Sequence, residues 1–189
     1  AKLESKGVKF RTKRSDTEVV LNGLKEMGDD FVHELRGQFA IAFFDLEKRN
    51  LTLFRDRLGQ KPIFYYLNKE KIIFGSNLLS IKEKSNESKI SEESLREYLE
   101  TGVVQSPNTI YEKIYKLKPA EIINISFKKN EIKKISKTYW KPKDFIDEKT
   151  FKDDEFFNLF SESVHLRTLA DVEVANFIET TIRRKELSK

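Results

Sequence analysis

The sequence contains no cysteine, which excludes disulfides, thiolate metal sites and a cysteine nucleophile within it. It also lacks long hydrophobic runs. No stretch approaches the roughly 18 consecutive apolar residues of a spanning helix, and residues 1–10 hold no apolar core followed by a cleavage site. The expectation is a soluble, cytoplasmic chain with no membrane partner. Histidine is scarce: His33 and His165 have no metal-ligand partner at helical or hairpin spacing, so both are read as ordinary side chains and no metal site is expected. Internal repeats and low-complexity tracts are missing as well. The net charge of +5 comes from 36 basic and 31 acidic residues that are mixed along the whole chain, so nucleic acid is not the expected partner.

What is present is core-forming material. With 38% hydrophobic residues and 15 Phe, the chain can offset its ordering entropy, and its 35% charged residues belong on a solvated exterior. A length of 189 residues lies between the usual sizes of one domain and two, which predicts a main domain with an appendage.

The spacing Ser15-Asp16-Thr17-Glu18 is that of a capping box. Val19, Val20, Leu21, Leu24 and Met27 follow as an apolar stripe, predicting a helix over 16–27 that Gly28 stops. Phe31, Val32 and Leu35 predict a second short turn of helix ending at Gly37. Short apolar runs at 39–44, 51–54, 63–67 and 72–74 then read as strands of a meander, with 45–50 and 68–71 as hairpin connections and 58–62 as a turn. The continuous apolar character of 39–44 predicts a strand covered on both faces. Beyond the polar stretch 82–89, Ser91-Glu92-Glu93 opens a helix through Leu99. A hairpin is expected from 121–127 and 132–139, an amphipathic helix at 153–169 and a short strand at 172–178.

Five segments occur in a telling order: Phe10-Arg11-Thr12, Ser15 to Val19, Leu35-Arg36-Gly37-Gln38-Phe39-Ala40, Arg55-Asp56-Arg57-Leu58-Gly59-Gln60-Lys61-Pro62, and Tyr65-Tyr66. They resemble the glutamine-amidotransferase domain of asparagine synthetases. Leu117-Lys118-Pro119-Ala120 and Tyr139-Trp140 resemble the end of that domain, while Ser163-Val164-His165-Leu166-Arg167 and Ala170 to Val174 look like the opening of the ATP-dependent synthetase domain. The resemblance implies an α+β fold: an Ntn-hydrolase-like αββα sandwich at 1–145, incomplete at its N-terminal side, followed at 150–189 by the beginning of an α/β synthetase domain. In such enzymes a terminal cysteine hydrolyses glutamine, and the ammonia travels to a second domain that activates aspartate with ATP and magnesium.

By the same resemblance, Asp16 matches the acid that holds the amino group of substrate glutamine, a role that suits a charge-assisted hydrogen bond. The alternative is an Asp that merely favours a helix N-terminus. Neighbours on a strand point to opposite faces, so Arg55-Asp56-Arg57 is read as architectural, through ion pairs and the turn joining two sheets. The family's catalytic cysteine, its contacts to the glutamine carboxylate and its oxyanion donors would lie ahead of Ala1, so no catalytic residue is assigned. After 174–178 the family's Ser-Gly-Gly loop is replaced by Glu179-Thr180-Thr181, which leaves Ile178 as a remnant of the nucleotide site. ATP and magnesium are therefore not expected to bind, and glutamine only weakly or not at all. Smaller departures are Ser76-Asn77 for the common Ser-Glu, and Lys13-Arg14, one residue longer than usual.

The function expected is part of a glutamine-dependent asparagine synthetase, inactive as this chain stands. The alternatives are a non-catalytic binding module built from an amidotransferase, or an amidotransferase with another ammonia acceptor. An unpaired strand edge at 39–44 is expected to favour homo-oligomers.

Overall fold

Helix α1, Asp16–Met27, starts at Ser15, whose Oγ accepts from the Glu18 N–H at 3.3 Å, and stops at Gly28 in the left-handed region with φ 61°. The capping box closes only on that side. Glu18 turns its carboxylate outward to the Arg11 and Thr12 N–H groups at 2.7 and 2.8 Å, and so ties down the preceding segment. A 3-10 turn, Gly28–Glu34, follows and ends three residues before Gly37, because Leu35 is already extended at φ −78°, ψ 129°. It carries Phe31 back onto α1 at Gly23. A Cβ on Gly23 would stand 2.3 Å from the Phe31 ring, so glycine there is a packing requirement that overrides its poor helix propensity.

The computed structural model describes residues 2–12, 15–128, 131–145 and 152–167. Two units are distinguished, Ala1–Ile146 and Asp147–Lys189. The first holds seven described strands: β1 (Ala40–Asp45), β2 (Asn50–Arg55), β3 (Phe64–Leu67), β4 (Ile72–Gly75), β5 (Ile114–Lys116), β6 (Glu121–Lys128) and β7 (Glu131–Thr138). They form two antiparallel sheets, ordered β1-β2-β6-β7 and β4-β3-β5. Alternation along β2 and β6 divides the core. Leu51, Leu53, Ile123 and Ile125 face the second sheet and pack with Ile63, Tyr65 and Leu117. Phe54 and Ile122 face the other way and pack under Leu24, Phe31 and Val32. On that side Asp29 joins the sheet through Asn124 Nδ2 at 2.9 Å and Lys137 Nζ at 3.3 Å.

Two helices lie between β4 and β5 in the chain: α2 (Leu78–Ser85) and α3 (Glu92–Thr101). The second is capped by Ser91 as its sequence predicts, and the first falls where the polar stretch hid it. Its signal is Asn77, whose Oδ1 accepts from the Ser80 N–H at 3.1 Å, together with Ile81, buried against the sheet of β3 and β4.

The expectation that 39–44 is covered on both faces is corrected. β1 is an outer strand, with Ala40, Ala42 and Phe44 exposed and Ile41 and Phe43 half-buried on the α1 side. Among the described residues the second sheet has three strands, and the side chains of Ala40, Ala42 and Phe44 are exposed. In the second unit, α4 (Asp153–Arg167) exposes Phe156, Phe157 and Phe160. The strand expected at 172–178 lies outside the described residues, and with it Ile178 and Glu179-Thr180-Thr181. No helix among the described residues is long and apolar enough to cross a membrane.

Candidate functional site

Asp16 occupies the first turn of α1, placed there by the Ser15 cap. Glu18, two residues on, is engaged by Arg11 and Thr12, hydrogen bonds that hold its carboxyl below the usual range. The Asp16 side chain makes no hydrogen bond or ion pair with any described residue, and the residue is exposed. It stands on the wall between two grooves. One, of about 1060 Å³, runs past Phe10, Ser15, Met27 and Phe31; the other, of about 610 Å³, runs along Gln38 to Phe43 of the β1 segment. Val19 and Leu35 share that wall, so the free carboxylate is flanked by apolar surface.

Arg36 lines the second groove with Asp16. Sequence reading passed over it. Twenty residues separate the two, and only the return of the chain from the 3-10 turn onto β1 brings them to one groove. The pair offers an acid for an ammonium and a guanidinium for a carboxylate, the two poles of an amino acid.

Arg55-Asp56-Arg57 is architectural, as expected, but through the backbone and not through ion pairs. Asp56, 1% exposed, accepts from the N–H groups of Phe39, Leu58, Gln60 and Lys61 at 3.3, 3.2, 2.9 and 3.0 Å. Arg55 extends into the adjoining turn, where Nε donates to the Lys61 carbonyl at 2.9 Å and the two terminal nitrogens donate to the Gly59 and Leu117 carbonyls. Gly59, at φ 66°, leaves room for this guanidinium: a Cβ there would lie 3.0 Å from Arg55 Cζ. Since β2 ends at Arg55 and Leu117 follows β5, this one side chain links the two sheets. No salt bridge joins the triplet among the described residues. Arg57 donates to the His33 carbonyl at 3.1 Å, and its buried Nε has no partner among them.

The Tyr139 hydroxyl donates to the Arg55 carbonyl at 2.9 Å, and its ring meets His33 edge-on at 5.7 Å. Burial pushes this phenol up to about 12; Arg57 opposes the shift and Asp56 adds to it. A folded value above the ordinary one of about 10 means that this group stabilises the fold fully below pH 10 and loses that contribution as pH rises towards 12. In an absorbance titration Tyr139→Phe is expected to remove the most alkaline tyrosinate step. An unchanged titration would contradict this placement. His33 is engaged in this packing, and among the described residues no group of three His, Cys, Asp or Glu side chains is arranged to hold a metal ion.

Comparison with known proteins sets this geometry in context. A family model described as "Glutamine amidotransferase domain" matches residues 1–140. A protein of Methanocaldococcus jannaschii named "Putative asparagine synthetase [glutamine-hydrolyzing] 2" is 33% identical over 169 residues, which is 87% of this chain and 32% of the relative. "Asparagine synthetase [glutamine-hydrolyzing] 1" of Bacillus subtilis is 29% identical over 177 residues, 93% of this chain and 28% of its own length. "Amidase chry2" of Gibberella zeae is 28% identical over 170 residues, 87% of this chain and 24% of that protein. The chain thus spans a third or less of the length of these relatives.

Proposed function

Because the chain belongs to the glutamine amidotransferase domain family, we propose that the wall bearing Asp16 is the amino-group side of a glutamine site, within a glutamine-dependent asparagine synthetase. The observation that carries the proposal is the Asp16 carboxylate itself, fixed in the first turn of α1, free of described partners and facing two grooves at once. An ammonium held there gains a charge-assisted hydrogen bond, with Val19 and Leu35 lining the same groove. Arg36, on the second groove, is one cation that a ligand's carboxylate could meet there. The helix, sheet, sheet and helix packing of the first unit supports an Ntn-hydrolase-like reading of the fold.

Hydrolysis needs a nucleophile that gives up its proton and an oxyanion hole, and this chain has no cysteine to serve. Its part is to position glutamine; the bond-breaking group comes from outside these residues. The same observation supports the second reading, a module that binds without catalysis. The relatives named asparagine synthetases favour the asparagine-synthetase reading over an amidotransferase with another ammonia acceptor. ATP and magnesium belong to the synthetase half of such an enzyme. The residues here do not fit a pyrophosphate: Ile178 is followed by Glu179, Thr180 and Thr181, a negative charge and no glycine where backbone N–H groups would have to approach phosphate.

The purified chain is accordingly expected to release no ammonia from glutamine and to form no AMP from ATP and aspartate. A coupled ammonia assay checks the first point. Turnover that exceeds a mock preparation and vanishes on boiling would overturn the assignment of the nucleophile to another segment.

A further inference from the structure

The first turn of α1 carries two acids, Asp16 and Glu18, and the chain uses them differently. Glu18 gathers three donors on two oxygens: Oε1 accepts from the Arg11 N–H at 2.7 Å, while Oε2 accepts from the Thr12 N–H at 2.8 Å and from the Thr12 hydroxyl. Its own N–H donates to Ser15 Oγ at 3.3 Å, so the residue is anchored in the helix and grips the segment that leads to it. The bonds to its carboxylate are exposed to solvent, where exchange with water leaves them a small net stability. What they fix is position. The gripped segment contributes Phe10 and Thr12 to the groove that Asp16, Val19 and Phe31 also line, and Phe10 packs on the core of Leu24, Phe31 and Val32. Residues two apart on a helix do not share a face, so Glu18 reaches this segment while Asp16 stays on the wall between the two grooves.

We propose that Glu18 is a positioning residue of the glutamine site: by gripping Arg11 and Thr12 it holds residues 10–12 as a fixed wall of the groove that Asp16 lines. The inference rests on the reading of Asp16 as the group that holds the amino end of glutamine. A charge-assisted hydrogen bond is strong only where the ammonium is presented at the right distance and angle, and a wall free to drift lets a ligand settle away from the carboxylate. Glu18 also withdraws as a competitor for that ammonium. Its two oxygens are committed to Arg11 and Thr12, and Glu34 on the same groove is paired with Lys2 at 2.5 Å, whereas the Asp16 charge stays available. Glu18→Gln keeps the size of the side chain but offers one acceptor oxygen in place of two and turns an NH2 group towards a donor, so the grip loosens.

Two measurements on Glu18→Gln test this, with circular dichroism matching the parent chain to verify that the variant is folded. In the chain itself, trypsin should cut the bond between Arg11 and Thr12 at least about three times faster than in the parent, since Glu18 holds both residues of that bond. In a chimera that joins this chain to the cysteine-bearing N-terminal segment of an asparagine synthetase, the glutamine KM should rise roughly 3- to 10-fold with kcat little changed. The double variant Asp16→Asn/Glu18→Gln should rise no further than Asp16→Asn alone, because a wall that acts through the Asp16 contact then has nothing left to position. A purely structural residue would instead multiply the two effects. An unchanged cleavage rate, an unchanged KM or multiplied effects each overturn the inference. If Asp16→Asn nonetheless raises KM, the reading of Asp16 stands without it; if Asp16→Asn changes nothing, both fall together.

Discussion

Asp56→Ala is expected to destabilise the first unit by at least about 4 kcal/mol, a large part of the 5–15 kcal/mol that holds a typical domain together. The carboxylate accepts from four main-chain N–H groups and is 1% exposed. Removing it leaves four donors with reduced access to water, each costing on the order of 1–3 kcal/mol before relaxation. The loss spreads further, because the turn it organises presents the Gly59 and Lys61 carbonyls to Arg55, and Arg55 in turn holds Leu117 of the other sheet. Asp56→Asn should be milder, since one amide oxygen can still accept while the NH2 group faces former donors.

Acidity provides an independent check on the same residue. Burial works to raise the Asp56 pKa, but the hydrogen bonds from Lys61, Gln60, Phe39 and Leu58 prevail and hold it below the ordinary carboxylate value. A depressed folded value means that its stabilisation is complete above about pH 4 and is lost as pH falls through the folded pKa. Urea titrations at pH 7 and pH 3 should show the Asp56→Asn penalty shrinking at the lower pH. A penalty under about 1 kcal/mol for Asp56→Ala at pH 7 would contradict the role assigned to this turn.

Where the sequence was legible, one local signal sufficed. The Ser15 and Ser91 caps, Gly28 and the run of apolar strands around hairpins place α1, α3 and six of the strands within a residue or two. α2 was hidden because Lys82, Glu83 and Lys84 make its stretch read as polar, and its helix is organised by Asn77 and by Ile81 beneath the chain. The coverage of β1 was misread for a different reason: apolar composition reports what a strand can bury, whereas what it does bury depends on how many strands the opposing sheet contributes. Resemblance singled out Asp16 as a candidate, whereas nothing in the sequence singled out Arg36. Its place on the same groove as Asp16 comes from tertiary return and from no local spacing. Likewise, Arg55-Asp56-Arg57 shows charge in sequence, while the structure spends that charge on main-chain groups.

The central claim is that Asp16 holds the amino group of glutamine. Joining this chain to the cysteine-bearing N-terminal segment of an asparagine synthetase supplies the missing nucleophile, and steady-state glutaminase kinetics of that chimera with and without Asp16→Asn then isolates one charge. Asparagine keeps the shape and removes the negative charge that pairs with the ammonium. Losing a charge-assisted hydrogen bond of roughly 1.5–3 kcal/mol corresponds to an approximately 10- to 150-fold rise in the glutamine KM, with kcat little changed because the amino group is held equally before and during reaction. That rise, with an unshifted melting temperature, is the predicted result. An unchanged KM accompanied by a small drop in melting temperature would show that Asp16 serves only the start of the helix, and would contradict the claim.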